Sequence, residues 1–155
     1  MLRTPKSLEE EHEELMGTLR HASSFDDKTG KAVKELLKTL EPHFEKEEKV
    51  AMPVLGALTE LVSGERIRNL EEIAESQSQL LQEYKTMFEE HQKIGTLIER
   101  AKLEAKGEDH EEIAEILDAL GHHARVEEDV LYPAALLAGT LAKVMLRNEA
   151  QVAVA

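Results

Sequence analysis

His123-Ala-Arg-Val-Glu127-Glu128-Asp129-Val130-Leu131-Tyr132-Pro133 repeats a pattern found earlier in the chain as His43-Phe-Glu-Lys-Glu47-Glu48-Lys49-Val50-Ala51-Met52-Pro53. Both stretches read His-x-x-x-Glu-Glu-x-Val-x-x-Pro. On an α-helix, residues four apart lie one above the other on a single face, so each copy aims an imidazole and a carboxylate at a common point. A second pair of twins precedes them: Glu10-Glu11-His12 ahead of the first copy and Glu89-Glu90-His91 ahead of the second. The chain therefore reads as two halves, each a His-bearing helix followed by a His-x-x-x-Glu helix. Four such helices with inward-facing His and Glu can hold a pair of metal ions in a bundle core.

Hydrophobic periodicity supports this division. Ser7 to Glu10 has the form of a capping box that opens a first helix over about 7–23, on which Leu8, His12, Leu15 and Leu19 share a stripe. A loop rich in Ser and Asp follows. A second helix over 29–52 buries Val33, Leu36, Leu37, Leu40, His43, Phe44, Glu47 and Val50, with Pro42 as a local bend and Pro53 as a further bend or the helix end. Glu47 falls where Leu or Val would otherwise belong, and a buried unpaired carboxylate is costly, so it calls for a cation. Val54 to Val62 forms a short helical or irregular connection closed by Ser63-Gly64. The third helix, 65–106, carries Leu80, Tyr84, Met87, His91, Ile94 and Ile98 inward. At about 1.5 Å per residue it would overshoot a compact bundle, which predicts a break near Asn69 or an overhanging arm. The fourth helix, 109–138, opens on a capping box at Asp109 to Glu112, leaving His110 solvent-facing. It turns Ile113, Ile116, Leu117, Leu120, His123, Glu127, Val130 and Leu131 inward. His21 and His122 fall outside the repeat.

Composition narrows the chemistry. The 155 residues suit one domain, 1–155, with an all-α, up-and-down four-helix bundle, a short extra helix and a C-terminal extension. Cysteine is absent, so any metal is held by His and carboxylate. With 19 basic against 32 acidic residues the formal charge is −13, which argues against nucleic acid and anionic membranes as partners. The N-terminus has no run of signal-peptide type and no later segment reads as a membrane span, so a soluble, cytoplasmic protein is expected.

On these residues the chain resembles the hemerythrin-like, or HHE cation-binding, proteins over most of its length. The resemblance implies a non-haem di-iron centre with His12, His43, Glu47, His91, His123 and Glu127 as ligands and a bridging oxide or hydroxide. In that reading Glu47 and Glu127 both bridge, His12 and His43 bind one ion, and His91 and His123 bind the other. The donor set also suits Zn or Mn. Small ligands such as O₂, NO or peroxide are the implied partners, in sensing, detoxification or iron handling. A sensor would need a separate protein partner. Oxygen-carrying hemerythrins have a further His one turn away on the third helix, where this chain has Met87 and Gly95. That departure favours a site that reacts over one that carries, and leaves Glu48, Glu90, Glu128 or Tyr84 as an extra ligand or a hydrogen-bonding neighbour of one. Two alternatives stand beside it. A ferritin-like site needs Glu-x-x-His, which Glu9 and His12 satisfy but Leu40, Phe88 and Leu120 do not. A metal-free helical interaction module would use the same His and Glu as a buried polar network.

Overall fold

The computed structural model describes residues 2–63, 67 and 69–154. The helices are α1 (Lys6–Ala22), α2 (Lys28–Val50), α3 (Met52–Gly56), α4 (Leu58–Ser63), α5 (Leu70–Gly107), α6 (Glu111–Val126) and α7 (Tyr132–Val154). A single π-helical turn, Glu127–Leu131, joins α6 to α7. Among the described residues there is no strand, and the all-α bundle predicted by the periodicity is the observed architecture. The expected start of the third helix at Glu65, and the Gly64 break before it, lie outside the described residues.

Helix ends depart from the capping predictions. Ser7 does not cap α1. Pro5 does so through its carbonyl, which accepts from Leu8 and Glu9 at 3.0 and 3.2 Å, and no side chain caps that end. Asp109 does not cap α6 either. It takes a positive φ of 59°, His110 becomes the cap residue, and no side chain is used. By contrast α2 follows the side-chain rule, Asp27 accepting from the Gly30 N–H at 2.8 Å.

The two prolines of the repeated pattern act differently. Neither has an N–H to close the helix on the residue four before it. Beside Pro53, α2 ends at Val50 and Pro53 sits in the first turn of α3. Before Pro133 the helix continues by widening, with the Tyr132 N–H bonded to the Glu127 carbonyl five residues back. The widening shifts the inward register by one residue. Tyr132, not Val130, therefore follows Glu127 on the buried face: Tyr132 is 1% exposed and Val130, predicted inward, is 56% exposed.

The apolar residues form two clusters. One gathers Leu15 and Leu19 of α1, Leu36, Leu40 and Phe44 of α2, Ile94 and Ile98 of α5, and Leu117 and Leu120 of α6. The other gathers Met52 and Leu55 of α3, Ile73, Leu80 and Met87 of α5, and Tyr132, Ala135 and Ala138 of α7. The N-terminal half of α5 therefore does not overhang. It packs against α3 and α7, and at Gly139 of α7 a Cβ would meet the Gln77 side chain at 2.0 Å. One expectation is corrected here: α6, the π turn and α7 form a helical run, Glu111–Gln151, that is long and apolar enough by length and composition to cross a membrane. Between the two apolar clusters, on α1, α2, α5, α6 and the π turn, lie six buried polar residues: His12, His43, Glu47, His91, His123 and Glu127.

Candidate metal centre

The repeat brings all six of these side chains to one layer. His12 Nε2 lies 3.0 Å from His123 Nε2, and Glu127 Oε1 lies 3.7 and 2.9 Å from the same two nitrogens. On the other side, Glu47 Oε1 lies 3.3 Å from His43 Nε2 and 3.8 Å from His91 Nε2. Glu127 Oε2 reaches His91 Nε2 at 3.4 Å. Two groups that could hold a metal ion result, His12–His123–Glu127 and His43–Glu47–His91–Glu127, each with its donor atoms within 4.8 Å of one another.

This geometry corrects the pairing read from the sequence. His12 is grouped with His123, not His43, and His43 with His91. Glu127 belongs to both groups, whereas Glu47 belongs to one. The expectation paired helices adjacent in the chain, but α1 packs against α6 as well as α2, and α5 against α2 as well as α6, so adjacency in the chain does not decide which imidazoles meet.

Each imidazole is held from behind by a carboxylate on another helix. His12 Nδ1 faces Glu48 at 3.4 Å, His43 Nδ1 faces Glu90 at 2.7 Å, His91 Nδ1 faces Glu128 at 2.9 Å, and His123 Nδ1 faces Glu11 at 3.2 Å. The pattern is symmetric: Glu48–His12 and Glu128–His91 each lie within one half, whereas Glu90–His43 and Glu11–His123 join the two. A carboxylate at Nδ1 fixes the proton there and leaves the Nε2 lone pair pointing inward. Glu90 also accepts from Lys46 at 2.7 Å. Burial, which raises its carboxyl, is outweighed by His43 and Lys46, and Glu90 is held below the ordinary carboxylate range.

The sequence singled out Glu48, Glu90 and Glu128 as extra ligands or neighbours, and the structure gives all three the second role. Glu11 was missed, although its place beside His12 mirrors that of Glu90 beside His91. Tyr132 was also missed. Its Oη donates to Glu47 Oε1 and lies 3.2 Å from His91 Nε2. The signal was one of several differences between the two copies, Tyr132 where the first has Met52, but a helical register pointed it away. Tyr84 packs edge-on against Tyr132 at 6.1 Å and is in neither ligand group. His21 and His122 are exposed. His110, predicted solvent-facing, is half-buried and bonded to Asp27 at 2.7 Å. With Glu108 these form a small cluster between loops, but Asp27 already caps α2 and Glu108 accepts from Thr29.

The donor set fits a cation better than it fits itself. His43 Nε2, Glu47 Oε2 and Glu127 Oε1 are fully buried without a hydrogen-bond partner. Facing Nε2 lone pairs repel at the His12–His123 distance unless a proton or a metal lies between them. Two buried carboxylates so close cannot both ionise freely. Burial and the neighbouring Glu127 push the Glu47 carboxyl up. For Glu127 burial also acts upward, but His12, His123 and His91 outweigh it and hold the carboxyl well below its usual range.

Comparison with protein families finds that residues 4–135 match the hemerythrin HHE cation-binding domain. Comparison with curated proteins and with solved structures finds no match. The match spans most of the chain and includes all six predicted ligands. The chain belongs to that cation-binding family.

Proposed function

We propose that this member of the hemerythrin HHE cation-binding family holds two non-haem iron ions, one in each ligand group, and uses them to bind or react with O₂, NO or peroxide. The observation that carries this reading is the inward convergence of four Nε2 atoms, each backed by a carboxylate, on a Glu127 shared between the groups. Imidazole and carboxylate without sulfur suit iron in either common oxidation state. Bound iron would supply the electrons and the open coordination positions that the side chains lack.

The protein's own contribution is positional. Glu127 sets the two groups at one shared carboxylate, and the four outer carboxylates fix each ring's tautomer and orientation. Glu11 and Glu48 are about half exposed, and they connect His123 and His12 to solvent as a path for protons. A cleft of about 170 Å³ lined by His12, Met16, Phe44 and Glu48 opens on the same side. Phe44 stacks flat on His12 at 3.9 Å and walls the site from the lower core. The group with His12 and His123 has the fewer protein donors, so the small ligand is engaged there.

The test is metal content and optical spectra of protein purified without oxygen, then exposed in turn to O₂, NO and peroxide. Close to two irons per chain, with spectral changes on exposure, is the expected result. With Met87 fully buried where a further His would complete a carrier-type site, oxidation by O₂ is expected without a long-lived oxygenated form. Protein that takes up no Fe(II), or that carries zinc and ignores all three reagents, would overturn the reading.

A further inference from the structure

We propose that Tyr132 is a seventh protein ligand, binding as a phenolate to the ion between His43 and His91. The inference rests on the two-ion reading above. Tyr132 is 1% exposed, and its ring lies nearly parallel to that of His91, centroids 5.6 Å apart. Its Oη faces two acceptors, Glu47 Oε1 and, at 3.2 Å, His91 Nε2. The Glu128 carboxylate, 2.9 Å from His91 Nδ1, can only accept, so a neutral His91 places its proton there and turns the Nε2 lone pair toward Tyr132. A phenol has one proton to give. Given to Glu47, it leaves the oxygen lone pairs of Tyr132 against the nitrogen lone pair of His91. A cation among the three atoms removes that conflict, because a carboxylate oxygen, an imidazole nitrogen and a phenolate oxygen are all donors to it. His43 Nε2, buried without a hydrogen-bond partner beside Glu47, completes the same ring of donors.

The π turn puts Tyr132 in that place. An α-helical register would have set Leu131 one turn after Glu127; the bond from the Tyr132 N–H to the Glu127 carbonyl advances the buried position by one residue. The counterpart in the first copy is Met52, so only one ion gains an anionic oxygen. On ligation the phenolic O–H bond breaks, an O–metal bond forms, and the proton passes to solvent, with no change in oxidation state. The ion between His43 and His91 then has His43, His91, Glu47, Glu127 and Tyr132, while its neighbour has His12, His123 and Glu127 only. The phenolate closes one ion and leaves small-ligand chemistry to the other.

The experiment is iron loading followed by oxidation to the ferric state, with iron content, visible absorption and resonance Raman measured on the same samples. The chain has two tyrosines, so Tyr84→Phe serves as the control. Iron-loaded wild type and Tyr84→Phe should show a visible phenolate-to-iron charge-transfer band with enhanced tyrosine ring modes, and Tyr132→Phe should lose both. If Tyr132→Phe does not fold, ring-deuterated tyrosine in the Tyr84→Phe protein reports on Tyr132 alone, and the enhanced modes should shift. Wild type with two irons and no such band, a band that survives Tyr132→Phe, or modes that do not shift would overturn the phenolate assignment and leave the two-ion reading standing. Wild type that takes up no iron would overturn the two-ion reading, and the phenolate with it.

Discussion

The two copies of the His-x-x-x-Glu-Glu-x-Val-x-x-Pro pattern present the same donors and surround them differently. In both, the His and first Glu turn inward and the second Glu supports a His on another helix. Past that point they part. The first copy ends its helix at Val50 and starts α3, with Met52 in the core. The second widens into a π turn, continues as α7 and delivers Tyr132 to the opposite carboxylate, Glu47. Their carboxylates also differ in kind: Glu127 is shared and held ionised by three imidazoles, whereas Glu47 faces one group and is pushed toward its neutral form. A sequence repeat thus predicts which side chains turn inward, while the flanking residues decide what each of them does.

The largest effect should come from removing one shared donor. Glu127→Gln should cut iron content from about two per chain to near zero, while Glu47→Gln should cut it toward one, as read by elemental analysis after reconstitution. Equal losses in the two variants would restore the symmetric picture in which both bridge.

Next come the outer carboxylates. Glu90→Gln and Glu11→Gln should each weaken ion binding about 10–100-fold, in the range for residues that orient a ligand His. Glu90→Gln should be the more severe, since Glu90 is the less exposed and also holds Lys46. Competition titration with a chelator measures both, and a larger loss at Glu11 would invert the ranking.

A smaller effect concerns pH. In the metal-free protein burial lowers His123, but Glu127, Glu11 and Glu47 outweigh it and raise it to about 9 from an ordinary 6.5. A group raised on folding stabilises fully below its unfolded value and loses that contribution as pH rises through its folded one. The metal-free protein should therefore lose thermal stability between about pH 6.5 and 9. Ion uptake, which displaces that proton, should tighten over the same window. Thermal melts and proton release on iron addition test the two halves of this claim, and a melt that rises with pH there would contradict it.

The smallest effect belongs to the prolines. Pro53→Ala and Pro133→Ala should each shift the metal-free melt by no more than about 2–4 °C, or about 1 kcal/mol, with iron content unchanged. If Pro133→Ala lowered iron content, the π turn would depend on that residue more than on the packing of α7 against α5.

Much of this was legible from residues alone. His12, His43, Glu47, His91, His123 and Glu127 stood out because a carboxylate or imidazole on an apolar helical stripe is conspicuous, and its recurrence in a second half made chance a poor explanation. The bundle followed from the same stripes. What stayed hidden depended on tertiary arrangement. Which His faces which is a matter of how helices cross, and no spacing within a helix encodes that. Tyr132 was hidden by one inserted residue in the helical count, and Glu11 by its position beside a ligand on an otherwise polar face. His110 read as an exposed first-turn residue because its partner Asp27 lies on a distant loop.

The most direct test of the two-group centre is anomalous diffraction at the iron edge from crystals of the iron-loaded protein. Two peaks, about 3.5–4 Å apart as in other two-metal sites, should appear, one between His12 and His123 and the other between His43 and His91, with Glu127 touching both. A single peak, or two peaks pairing His12 with His43, would contradict it.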